Sequence, residues 1–135
     1  MTQRPQGGGK RILIVDDEES MRKVLAKRLT FWGHTVVTAK DGQEAIAFAM
    51  LHRPDLILLD IMMPVIDGFQ ACRQLKAVRD TCHIPVVFVT AKSSKDLPAQ
   101  ARAAGADGVI QKPYDFTELS DMIQRLTTTP EGHRV

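Results

Sequence analysis

Cysteine, surplus charge and long apolar runs are all scarce in this chain, and each scarcity removes a class of function. The two cysteines, Cys72 and Cys82, follow no pairing or ligand pattern. A disulfide framework or thiolate metal site is therefore not expected, and both read as structural thiols in a reducing compartment. A net charge of +2 over 135 residues provides no concentrated basic stripe, so direct nucleic-acid binding is not expected. No apolar stretch reaches the roughly 20 residues of a membrane span, and no apolar signal core opens the chain, which predicts a cytoplasmic protein without membrane insertion. His34, His52, His83 and His133 are scattered without ligand spacing. Gly7-Gly8-Gly9-Lys10 lacks the spaced first glycine and the following Ser or Thr of a phosphate loop, and it precedes the first strand instead of following it.

What remains is an ordinary globular composition, 44% hydrophobic and 25% charged, long enough for one packed core. Residues 1–10 read as a flexible N-terminal arm, 11–126 as the folded domain, and 127–135 as a polar C-terminal tail in which Pro130 and Gly132 oppose helix extension. Within the domain, apolar runs alternate with helical patterns. Strands are predicted at Arg11–Val15, Thr35–Ala39, Leu56–Leu59, Ile84–Val89 and Gly108–Ile110. The first, third and fourth are continuous apolar runs, as strands covered on both faces require, whereas the second and fifth suit sheet edges. Helical stripes are predicted from Met21, Val24, Leu25 and Leu29, from Ala45, Ala49 and Met50, from Phe69, Cys72 and Leu75, and from Phe116, Leu119, Ile123 and Leu126. Gly33 supplies a stop for the first helix. An Ala-rich helix near Asp96 to Ala104, with Asp96 as its cap and Pro98 in its first turn, has few large apolar residues and is expected to be the least firmly docked. Five strand–helix units in alternation predict an α/β fold, a doubly wound parallel sheet of order 2-1-3-4-5 with right-handed crossovers and helices on both faces. Sites in such sheets lie beyond the carboxyl ends of the strands, where the order reverses between strands one and three.

Those strand ends carry the chemistry. Asp16-Asp17 follow the first run and Asp60 the third, so acids from distant stretches converge. Three carboxylates repel one another without a cation, and magnesium suits oxygen donors with room left for a phosphate oxygen. One carboxylate is then free to attack phosphorus and form an acyl phosphate. Lys112, after the fifth run, offers an ammonium to phosphate charge; Thr90, ending the fourth, offers a hydroxyl donor; Ala91 leaves the approach open. Alone, an Asp-Asp pair is commonly a turn or cap, Lys-Pro a loop and Thr a strand end. The coincidence of these signals at the ends of strands one, three, four and five favours a phosphoryl-accepting site.

The runs Ile12-Leu13-Ile14-Val15-Asp16-Asp17-Glu18, Asp55-Leu56-Ile57-Leu58-Leu59-Asp60-Ile61-Met62-Met63-Pro64 with Asp67-Gly68, Pro85-Val86-Val87-Phe88-Val89-Thr90-Ala91, Gly105-Ala106-Asp107 and Lys112-Pro113 resemble the receiver domains of two-component response regulators. The resemblance covers about Arg11 to Leu126 and implies a flavodoxin-like fold. It implies that Asp60 takes a phosphoryl group from a histidine kinase or histidine phosphotransfer protein. It also implies magnesium, with manganese as a substitute, held by Asp17, Asp60 and the Met62 backbone carbonyl, with Asp16 assisting through water. Lys112 would contact the phosphoryl group, the Lys112-Pro113 peptide would be cis, and Thr90 would move toward the phosphate. By the same resemblance, Met62 and Lys92 flank the path of the hydrolytic water and bear on phosphoryl lifetime. One position departs from the pattern. Three residues before the lysine, receivers usually carry Phe or Tyr; this chain has Val109, whose branched side chain cannot make a large rotamer swing. Any activation signal is therefore expected to travel through backbone shifts of the Thr90–Lys95 loop and the fourth helix.

The function expected is a signalling switch, catalysing only its own phosphotransfer and autodephosphorylation, with output by contact of the fourth helix, fifth strand and fifth helix with a downstream protein. A phosphorylation-dependent dimer is compatible with this reading. Arg22, Lys23, Lys27 and Arg28 on the first helix read either as a docking face for the phosphodonor or as a solvated basic face. Three alternatives compete. The chain could be the receiver of a longer transcriptional regulator. It could be an aspartyl-phosphate phosphohydrolase, but such enzymes need an acid where Met62 stands. It could be a flavin-binding module, but an acidic loop follows the first strand where a phosphate loop is required.

Overall fold

A computed structural model describes residues 9–128. The expected arm and tail lie mostly outside these residues, as does His133. The strands are β1 (Arg11–Val15), β2 (Thr35–Ala39), β3 (Leu56–Leu59), β4 (Val86–Thr90) and β5 (Gly108–Gln111). The helices between and after them are α1 (Glu19–Phe31), α2 (Gly42–His52), α3 (Gly68–Ala77), α4 (Leu97–Ala103) and α5 (Phe116–Thr127). All neighbouring strands pair in parallel, in the order β2-β1-β3-β4-β5. This is the doubly wound sheet that the alternation of elements predicts. No helix among the described residues is long and apolar enough to cross a membrane.

Period-two alternation explains how one short strand feeds both faces. Ile12 and Ile14 pack with Leu25 and Leu29 of α1 and Leu119 and Ile123 of α5. Leu13 and Val15 pack with Ala45 and Ala49 of α2 and Leu75 of α3 on the opposite face. Each fully buried aliphatic side chain contributes about 1.5–3 kcal/mol, so β1, β3 and β4, buried along nearly their whole length, form the centre of the fold. Cys72 lies in the α3 core, where burial pushes its thiol up to about 11, partly offset by Lys76, so the thiol is structural.

Several expectations are corrected by the packing. β4 begins at Val86, not Ile84, because Pro85 has no N–H and the Ile84 N–H is taken by Thr81 O in a turn. Val24 and Met50 are exposed; each lies one position off the stripe that faces the sheet. Asp96 does not cap α4: it makes no side-chain bond to the first turn, and its own N–H donates to Ser94 Oγ. By contrast, Asp41, Asp67 and Asp115 accept from the third residue of α2, α3 and α5, and Asp67 forms a reciprocal box with Gln70. Trp32 is buried, while Phe31 is exposed.

His34 is buried, and its Nδ1 accepts the Lys10 N–H at 3.0 Å, tying the entry of β1 to that of β2. Burial, with the Lys10 charge as a smaller cause, lowers its pKa, so the ring is held neutral.

Candidate functional site

The carboxyl ends of β1 and β3 emerge side by side, because Val15 pairs with Leu59. The residues that follow are therefore neighbours: the Asp60 N–H donates to Val15 O at 3.0 Å, and the Asp16 N–H to Ala39 O at 3.1 Å. One carboxylate oxygen from each of Asp16, Asp17 and Asp60 lies within 4.8 Å of the other two. Asp16 is buried and fully engaged. Its Oδ1 accepts the Glu18 N–H at 2.9 Å, its Oδ2 accepts Lys112 Nζ at 3.2 Å, and its backbone carbonyl accepts Arg22 Nη1 at 2.7 Å. Arg22 thus turns back into the site and leaves the basic face of α1. Asp17 is exposed and takes part in no side-chain hydrogen bond among the described residues.

Asp60 is 8% exposed. Its Oδ1 accepts the Met62 N–H at 3.3 Å, and its Oδ2 lies 3.6 Å from Lys112 Nζ. Burial is the largest influence on this carboxyl and raises its pKa; Lys112 pulls it down, Asp16 pushes it further up, and the amides of Met62 and Ile61 stabilise the charge. The α3 start crowds this residue. A side chain at Gly68 would put its Cβ 2.4 Å from Asp60 O and 2.6 Å from Ile61 Cα, so only glycine lets the helix abut the acid so closely. The connecting loop carries Val65 at φ 71, an unusual left-handed conformation for a branched residue, with its side chain exposed.

On the other side of the site, Thr90 ends β4 fully buried. Its carbonyl accepts the Lys112 N–H at 2.8 Å, and its Oγ1 accepts the Lys92 N–H at 3.1 Å. The Lys112-Pro113 peptide is cis. Ala91 is exposed and lines a depression with Met21, Lys112, Pro113, Tyr114 and Phe116. Val109 is half-buried and packs on the α2–α3–α4 side of the core. The structure thus brings Asp16, Asp17, Asp60 and Lys112 into one cluster, with Thr90 tied to it through Lys112, while the Met62 side chain projects into solvent. Sequence reasoning missed Gln111, whose Nε2 donates to Lys92 O at 2.9 Å. A polar residue ending an edge strand gives no signal of such a contact until the loop's path is known.

Residues 12–124 match the family described as the response regulator receiver domain. The chain is 39% identical over 123 residues to the response regulator MprA of Mycolicibacterium vanbaalenii, a match covering 90% of this chain and 52% of that protein. It is 44% identical over 117 residues to the response regulator PleD of Caulobacter vibrioides, covering 87% of this chain and 26% of PleD. The chain thus spans about half the length of the first of these relatives and about a quarter of the second. Among solved structures, it resembles the receiver domain of a sensor histidine kinase from Pseudomonas aeruginosa PAO1, described with a magnesium ion coordinated in its active site cleft. That likeness has a TM-score of 0.83 and 30% identity, covering 90% of this chain and 100% of the other.

Proposed function

Because the chain belongs to the response regulator receiver domain family of two-component signalling, we propose that Asp60 accepts a phosphoryl group from a phosphohistidine and that the chain works as a switch. The observation that carries this reading is the convergence of three carboxylates within 4.8 Å, with Lys112 Nζ 3.6 Å from the Asp60 carboxylate. In the transfer, an Asp60 oxygen attacks phosphorus, the P–N bond breaks, and its electron pair returns to the imidazole nitrogen. Lys112, already bridging Asp16 and Asp60, offsets charge on the arriving phosphoryl oxygens. Thr90 supplies a hydroxyl donor at the edge of the site.

The donor set is all hard oxygen, which fits magnesium, with manganese as a substitute. When bound, the ion would supply charge neutralisation and Lewis-acid stabilisation at the acid cluster. Asp17, exposed and without a side-chain hydrogen bond among the described residues, and Asp60 would hold the ion, joined by the Met62 backbone carbonyl. Asp16, with both oxygens already hydrogen-bonded, would orient the site and assist without direct coordination.

The phosphodonor is proposed to dock on α1. Val24 and Phe31 are 54% and 57% exposed there, and with Lys27, Arg28 and Phe116 they line an open groove of about 500 Å³. The Arg28 guanidinium lies 4.3 Å from the centroid of the Phe116 ring, a cation held on an aromatic face. An apolar groove rimmed by cations favours a partner helix with apolar and acidic residues.

Mass spectrometry after treatment with acetyl phosphate and magnesium tests the acceptor. The wild type is expected to gain one phosphoryl group on Asp60, and Asp60→Ala and the near-isosteric Asp60→Asn none. A label on another residue, or unchanged labelling of a folded Asp60→Asn, refutes the reading.

A further inference from the structure

The loop between Thr90 and α4 has almost no apolar anchor. Ala91 and residues 93–96 are exposed, and the first buried side chain beyond Thr90 is Leu97. What holds the loop instead is the backbone of Lys92, gripped at both polar groups. Its N–H donates to Thr90 Oγ1 at 3.1 Å, and its carbonyl accepts Gln111 Nε2 at 2.9 Å. The two gripping residues face each other across the β4–β5 ladder, where Thr90 pairs with Gln111. Val109, two positions earlier on the same face of β5, carries no polar group and cannot take this part. Among the described residues, Gln111 is the only β5 residue whose side chain hydrogen-bonds the loop.

We infer that Gln111 is a positioning residue that latches the Thr90–Lys95 loop in the resting chain and sets the threshold for its movement on phosphorylation, an inference that rests on the reading of Asp60 as acceptor. A Thr90 hydroxyl turned toward a phosphoryl oxygen releases the Lys92 N–H, after which Gln111 alone retains the loop. The bond lies at the surface, where the net worth of a neutral hydrogen bond is small. It therefore acts as a threshold and not as a lock. Removing it lowers the cost of the shifted conformation and so raises apparent affinity for anything that requires that conformation.

The test uses the full chain with magnesium and beryllium trifluoride, a mimic of the acyl phosphate, followed by amide NMR. In Gln111→Leu, half-saturation is expected at about three- to tenfold lower mimic concentration. Before any mimic is added, the Lys92 and Ser93 amides should already be displaced along the line joining the free and loaded wild-type positions. A thermal melt matching the wild type shows that the sheet is intact, and Gln111→Glu, which has no donor, should behave like the Leu variant. If the wild type takes the mimic but Gln111→Leu leaves both half-saturation and these amides unchanged, the latch is refuted. If the wild type takes no mimic at all, the acceptor reading fails first and the threshold falls with it.

Discussion

The two sides of the site are built in opposite ways. On the β1–β3 side, the acids stand on strands buried on both faces, and Gly68 lets α3 press against the Asp60 backbone. On the β4–β5 side, β4 is buried throughout, but beyond it an exposed loop leads into a seven-residue helix without a side-chain cap, and β5 ends in the exposed Gln111. The proposed phosphoryl chemistry, which needs its carboxylates held in place, thus stands at the ends of densely packed strands. The loop that the proposed switch would shift is held by only a few surface hydrogen bonds. Lys112 joins the two sides, through its ammonium to Asp16 and Asp60 and through its backbone to Thr90.

The sharpest way to break this comparison is to damage each side and compare the costs. Leu58→Ala in β3 is expected to lower unfolding free energy by about 2–5 kcal/mol, whereas Ala101→Gly in α4, which loses helix propensity and one buried methyl, should cost about 1–2 kcal/mol. Denaturant titration reads both, and equal losses would show that α4 is as integral as the central sheet. The bridge comes next. Lys112→Met removes the ammonium that occupies the acid cluster, so magnesium should bind about tenfold more tightly while phosphoryl labelling slows by at least about tenfold. Calorimetry and labelling kinetics measure the two, and a loss of magnesium affinity would contradict the assignment of Lys112 as a cation competing for those carboxylates. The smallest expected effect separates the helix starts. Asp67→Ala should cost about 1 kcal/mol through loss of the α3 box, and Asp96→Ala should stay within about 0.5 kcal/mol of wild type. A comparable loss at Asp96 would mean that α4 is capped after all.

Residues whose role follows from local pattern were legible in the chain itself. The runs Arg11–Val15 and Leu56–Leu59 marked the bounds of β1 and β3, Cys72 and Leu75 the buried face of α3, and Gly33, at φ 99, the end of α1. Val24 and Met50 misled, because a stripe of apolar residues does not say which edge of it a neighbouring helix leaves uncovered. Asp96 misled because the loop gives its N–H to Ser94 and sets its backbone in the helical region instead of the extended one a cap uses, and its side chain makes no cap bond. Val65 and Gln111 gave no warning, since a left-handed backbone and a contact across a loop are both imposed from outside the segment.

By itself, the sequence determined the strand–helix alternation, the parallel order and the identity of the acids, because periodicity and strand-terminal residues are local properties of a chain. Only the tertiary structure decided that Asp16 is spent on hydrogen bonds while Asp17 remains open, that Arg22 turns inward, and that Gln111 holds the Lys92 carbonyl. Those choices depend on which groups meet across the sheet, and burial and hydrogen-bond competition between distant segments settle them.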